Sequence, residues 1–237
     1  MVEQSVLPGA RAGPRLSIII PTLNEGDILA VQLASLAPLR ERGVELIVVD
    51  GGSADASIDA ARRAADRLVA ASRGRARQMN AGAAMAKAPI LLFLHADTRL
   101  PPNADLLIDE KLVATGRGWG RFDVRIEGVS RWLPFIAGMM NIRSRATGIA
   151  TGDQAMFVTR RAFVAAGGFP DQALMEDVEL SSRLLRGGRP LCLRPPVTTS
   201  GRRWDARGVW RTIGLMWWIR LLYALGTAPD RLARLYR

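Results

Sequence analysis

The chain has 237 residues, 49% of them hydrophobic, enough for one sizeable core, and this composition excludes a globally disordered chain. Its formal charge of +11 is carried almost wholly by arginine, which favours phosphate-bearing partners without choosing among nucleotide, nucleic acid and anionic lipid. A single cysteine, Cys192, excludes a disulfide framework or cysteine metal site and favours a reducing, cytoplasmic setting.

In chain order, residues 1–14 carry Pro8, Gly9, Gly13 and Pro14 and read as a loose tail with no signal peptide. The run Leu16-Ser-Ile-Ile-Ile20, closed by Pro21, predicts a strand buried on both faces of a parallel sheet. A helix from Asn24 or Glu25 is expected to stop before Pro38, and Glu45 to Val49 gives a second strand ending at Asp50-Gly-Gly-Ser53. A helix over 54–66, a short strand over 68–71, an alanine-rich helix over 75–87 and a strand over 90–94 follow, the last ending at His95-Ala96-Asp97. Such alternation predicts right-handed βαβ crossovers.

Beyond residue 115 the pattern loosens, with strands expected over 119–126 and 155–159, a helix over 129–145, and a helix over 175–186 capped by Gly187-Gly188. The late apolar stretch 213–225 is broken by Arg220 and is shorter than the roughly 20 residues a bilayer span requires. Its tryptophans and arginines suit either packing on the preceding domain, pairing with a second copy, or peripheral contact with a membrane.

Ligands of open parallel sheets bind beyond the carboxyl ends of the strands, so Thr22, Asn24, Glu25, Asp50, His95 and Asp97 are the first candidates. Neither G-x-G-x-x-G after the first strand nor G-x-x-x-x-G-K-[ST] occurs, so phosphate needs another device. A divalent ion, Mg²⁺ or Mn²⁺, held by Asp97 would supply it.

The segments Pro21-Thr-Leu-Asn-Glu25, Val49-Asp-Gly-Gly-Ser53, His95-Ala-Asp97 and Glu176-Asp177 succeed one another as in glycosyltransferase family 2, which the chain resembles over about residues 15–205. Gly74-Arg-Ala-Arg-Gln-Met-Asn80 with Phe93-Leu-His-Ala-Asp-Thr98 resembles the branch of radical-SAM/selenodomain-associated transferases. The resemblance implies a GT-A, Rossmann-like α/β fold with a mainly parallel sheet, helices on both faces and a C-terminal helical tail. It divides the chain into a tail (1–14), a catalytic domain (15–205, nucleotide half 15–100, acceptor half 101–205) and an amphipathic C-terminal segment (206–237).

It further implies an inverting, hexosyltransferase-like enzyme acting on a UDP-sugar. Pro21, Thr22, Asn24 and Glu25 would hold base and ribose, Asp50 would read the base, and Asp97 would bind the metal. His95, with Ala96 beside it, occupies the first slot of the family's Asp-x-Asp and is left to ligate metal, bond diphosphate or pack. Asp177, preceded by Glu176, would be the base, and Asp153 a further pocket residue. Arg73, Arg75 and Arg77 surround a helix start where one of them is expected to meet phosphate. Arg203 and Trp204 lie in Ser200-Gly-Arg-Arg-Trp204, which resembles the Gln-x-x-Arg-Trp of processive members but lacks its glutamine, favouring single transfer.

No nucleic-acid partner is expected, the acceptor stays unassigned, and a homodimer and peripheral attachment to the inner face of the membrane stay open. The rival readings are a sugar-phosphate nucleotidyltransferase and a non-catalytic basic module binding nucleic acid or membrane.

Overall fold

The computed structural model describes residues 13–236, so all but the last two residues of the tail expected over 1–14 lie outside the described residues. Four parallel strands build the first half: β1 (Leu16–Thr22), β2 (Glu45–Asp50), β3 (Arg67–Ala70) and β4 (Ile90–Phe93). They are joined by α1 (Gly26–Glu41), α2 (Ser57–Ala64) and α3 (Arg75–Met85). Then come β5 (Thr98–Arg99), α4 (Ala104–Thr115), β6 (Trp119–Glu127), α5 (Leu133–Thr147), β7 (Phe157–Thr159), α6 (Arg160–Ala165) and α7 (Glu176–Leu185). The chain finishes through β8 (Leu191–Ser200), α8 (Arg202–Arg207), α9 (Val209–Ala224) and α10 (Pro229–Tyr236).

All eight strands form one sheet in the order β3-β2-β1-β4-β7-β6-β8-β5. It is mixed: β7 runs antiparallel to β4 and β6, β5 runs antiparallel to β8, and β6 pairs with β8 in parallel. Side chains alternate across the strands. Leu16, Ile18 and Ile20 of β1 join Leu46 and Val48 of β2 in one apolar layer under α1, α2, α4 and α5. Ile19, Ile47 and Val49 face the opposite layer with Met79 of α3 and Leu180 of α7. Burying such a side chain fully stabilises the fold by about 1.5–3 kcal/mol, which explains why these strands read as unbroken apolar runs.

Two prolines behave differently from expectation. The first strand continues through Pro21 to Thr22 because pairing with β4 ends at Ile19, so the N–H that proline lacks faces no ladder partner. The first helix continues through Pro38 to Glu41 because Leu39 extends the buried stripe of Leu29, Leu33 and Leu36, and packing outweighs the lost helical bond. Pro195 is skipped in the β6–β8 ladder, where Phe122 pairs with Leu193 and Asp123 with Pro196.

The segments α4, α6 and β5 have no counterpart among the sequence expectations. The tail packs on the domain through Ile219 of α9 and Leu232 of α10, which enclose Met175 just before α7.

Candidate active site

The carboxyl ends of β1 and β2 are tied together before any ligand enters. Gln78 of α3 is buried and donates through Nε2 to the carbonyls of Thr22 and Val49, both at 2.8 Å. The two following loops clasp each other. Asn24, with φ 54°, donates its N–H to Ser53 Oγ at 2.9 Å and accepts from Ala54 N at 2.8 Å. Gly26 N, in the first turn of α1, donates to Asp55 Oδ2 at 2.9 Å, and Glu25 N to Ser57 Oγ at 2.9 Å. Ser53, Asp55 and Ser57 were missed by sequence reasoning, since a loop capping another loop's helix leaves no local signature.

Asp50 is buried at the end of β2, where its carboxylate accepts from Gly52 N at 2.9 Å and Ser53 N at 3.1 Å. Pro21 precedes the buried Thr22, whose hydroxyl has no partner, and Glu25 Oε2 is likewise buried and unpartnered. Burial, then the negative charge of Asp97, raises the Glu25 carboxyl above its ordinary value, against Arg202, His95 and Arg75.

Beyond β4, Ala96 is buried and His95 turns its Nδ1 to Asp153 Oδ1 at 3.3 Å. Asp153 lies in the turn Gly152–Gln154. Desolvation pushes its carboxyl up, but the hydrogen bond and charge of His95, with Arg75 and Arg203, hold it below the usual range. A Cβ at Gly152 would sit 2.4 Å from His95 Nε2, so only glycine lets the imidazole lie there.

Asp177, in the first turn of α7, accepts from Gly152 N at 2.7 Å through Oδ2 and from Val178 N at 2.8 Å through Oδ1. Each oxygen keeps a lone pair free. Glu176 is buried, and burial followed by the charge of Asp177 raises its pKa. Met175, immediately before, is left-handed at φ 66°, a strained setting for a methionine that the contact with α9 and α10 holds in place.

Of the three arginines expected at α3, Arg75 reaches the site: it lies 3.6 Å from Glu176, and Glu176, Asp177, Asp153 and Asp97 together raise its pKa against desolvation. Arg77 is turned to Asp171 at 2.7 Å on the surface, away from these acids, and Arg73 is exposed. Asn80 bonds the backbone of Phe169 instead of facing the cleft.

Arg203 stacks over Tyr236 with its guanidinium carbon 4.5 Å from the ring, and burial, then Arg75, lowers its pKa while Asp153 and Asp97 oppose. Arg202, not singled out from the sequence, comes within 3.8 Å of Asp97. Trp204 packs against the first apolar layer, because α8 rotates it toward the domain.

Among the described residues no three His, Cys, Asp or Glu side chains converge as a metal cage. The residues nevertheless fit a divalent ion that takes one carboxylate and completes its shell with substrate and water: Asp97 has two long contacts, from the Thr98 hydroxyl at 3.5 Å and to Arg202 at 3.8 Å, and the unpartnered Glu25 oxygen belongs to a carboxyl that feels its charge.

The model of glycosyl transferase family 2 matches residues 17–167. A PGL/p-HBAD biosynthesis glycosyltransferase of Mycobacterium tuberculosis (strain ATCC 25618 / H37Rv) is 41% identical over 96 residues, 38% of this chain and 38% of that protein. The chain therefore matches well under half the length of these relatives. Among solved structures, TarS 1–349 of S. aureus superposes with a TM-score of 0.64 at 16% identity, covering 79% of this chain and 60% of that one. The mannosyltransferase PcManGT of Pyrobaculum calidifontis, in complex with GDP-Man and Mn²⁺, has a TM-score of 0.62 at 23% identity, covering 98% and 71%. Glucosyl-3-phosphoglycerate synthase of Mycobacterium tuberculosis, with Mn²⁺, UDP and glucosyl-3-phosphoglycerate, has a TM-score of 0.55 at 20% identity, covering 79% and 72%. These neighbours show that the fold is GT-A.

Proposed function

Because the chain belongs to glycosyl transferase family 2, we propose that it moves one sugar from a nucleoside diphosphate, UDP in the first instance, to an acceptor hydroxyl with inversion. The observation that carries this reading is Arg75, which stands among Glu176, Asp177, Asp153 and Asp97 and so draws the strand-end loops and the start of α7 into one cleft.

Asp50 reads the base at the end of β2, beside the unpartnered Thr22 hydroxyl. Asp97 would hold a divalent ion, Mg²⁺ or Mn²⁺, which would supply electrophilic stabilisation of the diphosphate. Arg75, Arg202 and Arg203 meet the remaining negative charge of the leaving group. The acceptor oxygen bonds to the anomeric carbon while the bond from that carbon to the diphosphate breaks with its electron pair. The acceptor proton passes to Asp177, whose two backbone hydrogen bonds fix the carboxylate. His95 donates to Asp153 and orients it toward the sugar.

Asp177→Asn is expected to bind UDP within about threefold of wild type in titration calorimetry while transfer falls at least about 100-fold. Undiminished turnover would remove Asp177 from the mechanism. A thermal-shift panel of nucleoside diphosphates and nucleotide sugars with Mn²⁺ tests the donor, since a selective ligand stabilises by mass action. No shift with any nucleotide would end the reading. Family membership favours transfer over nucleotidyl transfer or a non-catalytic basic module.

A peripheral membrane contact, on the cytoplasmic side, belongs to the same proposal. Among the described residues no helix is long and apolar enough to cross a membrane. Phe135, Met139 and Ile142 of α5 are exposed, the Trp132 ring lies 6.5 Å from that of Phe135 and 5.3 Å from that of Trp210, and α9 also exposes Trp217 and Trp218. Arg131 lies over Trp132, and Arg211 is also exposed, so the patch pairs apolar surface with positive charge.

A further inference from the structure

The transfer proposed above leaves two arginines without a role. Arg143 on α5 and Arg220 on α9 come from distant parts of the chain, yet each carries buried guanidinium nitrogens with no hydrogen-bond partner: Nε and Nη2 of Arg143, and Nε of Arg220. A buried guanidinium that lacks a partner is costly, and two near each other also repel. Burial and then the charge of Arg220 push Arg143 down to about 10, and burial lowers Arg220 as well.

The neighbouring acids are engaged elsewhere. Asp123 pairs with both Arg121 and Arg145. Glu179 accepts from Arg183 and from Tyr223. Asp177 accepts from two backbone N–H groups and acts on both arginines only through space.

Geometry places both arginines beside Asp177: Asn141, two residues before Arg143, accepts from Gln154 Nε2 at 3.4 Å in the turn whose Gly152 N donates to Asp177, and Ile219, next to Arg220, packs on Met175, two residues before Asp177. Arg75, Arg202 and Arg203 all feel or touch Asp97, the ion-binding candidate. The acids acting on Arg143 and Arg220 are instead Asp177, and for Arg220 also Asp153. If Asp177 takes the acceptor's proton, this is where the acceptor lies.

We propose that Arg143 and Arg220 form an oxyanion subsite for the acceptor, so that the acceptor carries a carboxylate or phosphate close to the hydroxyl that receives the sugar. Paired guanidinium groups held out of water grip such a group with parallel, charge-assisted hydrogen bonds. The inference rests on the transfer reading through Asp177.

The test is calorimetric titration of the full chain loaded with UDP and Mn²⁺, which fill the donor side. Glycerol 3-phosphate and D-glycerate separate phosphate from carboxylate, and glycerol is the neutral control. At least one oxyanion is expected to bind and glycerol not. Arg143→Met and Arg220→Met should each weaken oxyanion binding at least tenfold and leave UDP affinity within threefold, while Arg→Lys at either site recovers part of the loss. Melting temperature should rise in Arg143→Met, because an uncompensated buried charge is removed, which also shows that the variant folds.

Three results would overturn the subsite: no oxyanion binding to the loaded wild type, binding untouched by both Met variants, or UDP affinity falling in step with oxyanion affinity. Failure of the wild type to bind any nucleotide would instead sink the transfer reading. The same titrations on unloaded protein, wild type against Met variants, then decide the subsite by themselves.

Discussion

Glu25 stands where its charge is unfavourable to the fold, beside Asp97 and out of water. Its folded pKa lies above its ordinary 4.5, so its contribution to stability is fully present below that value and is lost as pH rises through the folded pKa. Glu25→Gln should therefore melt higher than wild type at pH 7, by a few degrees, and the difference should vanish near pH 4. Thermal melts at the two pH values check this, and a lower melting temperature at pH 7 would show that Glu25 is held by a partner. Gly152 gives a second prediction at this scale. Alanine there would drive a Cβ to 2.4 Å from the His95 imidazole and displace it from Asp153. Transfer should fall about 10- to 100-fold, as for other misplaced site groups, with UDP affinity little changed. Rates and calorimetry on Gly152→Ala distinguish this from loss of donor binding.

Helices of this chain are placed by what their small residues permit. Gly82 of α3 lets that helix lie against β1 and β2: a Cβ would come within 2.4 Å of Ile19 Cγ2 and 2.9 Å of Val49 Cγ2. Gly138 of α5 has nothing within 4 Å of its Cβ position. Gly82→Ala should destabilise by about 1–3 kcal/mol through overpacking. Gly138→Ala should stabilise by about 0.5–1 kcal/mol through helix propensity alone. Chemical denaturation of the two variants reads both signs. The same helix, α5, carries Arg143 and Arg145 on its last turns, so the element that scaffolds β6 also carries one of the two arginines proposed to hold the acceptor.

At the scale of the whole molecule, the C-terminal helices buttress the candidate site. Ile219 and Leu232 pack on Met175, left-handed one residue before Glu176, and Arg220, next to Ile219, feels the charge of Asp177 and Asp153. Deleting residues 206–237 would therefore disturb catalysis and membrane contact together. Substituting the exposed Trp217 and Trp218 by serine leaves the packed face of α9 untouched. The double variant should lose flotation with vesicles of phosphatidylglycerol and phosphatidylcholine, yet keep its melting temperature within about 2 °C. Equal flotation of variant and wild type would end the membrane reading.

The order of β1, β2 and β4 and the helices between them was legible in the sequence because these strands are buried on both faces, which writes largely apolar runs at residues 16–20, 45–49 and 90–94, whereas the half-exposed edge strand β3 was read from its place between two helices. The motifs at the strand ends pointed to the cleft for the related reason that parallel strands deliver their following loops to one edge. The acceptor half was less readable: β7 is three residues long, and β8 carries a skipped proline, so neither has a clean period. Only the tertiary structure chose Arg75 over Arg77, turned Trp204 inward, and brought Arg143 and Arg220 toward Asp177. An arginine within an apolar stretch has the same appearance in sequence whether it faces solvent or a ligand. Its meaning comes from whether the distant acids around it are already engaged and leave its nitrogens without a partner, and that is a property of the folded chain.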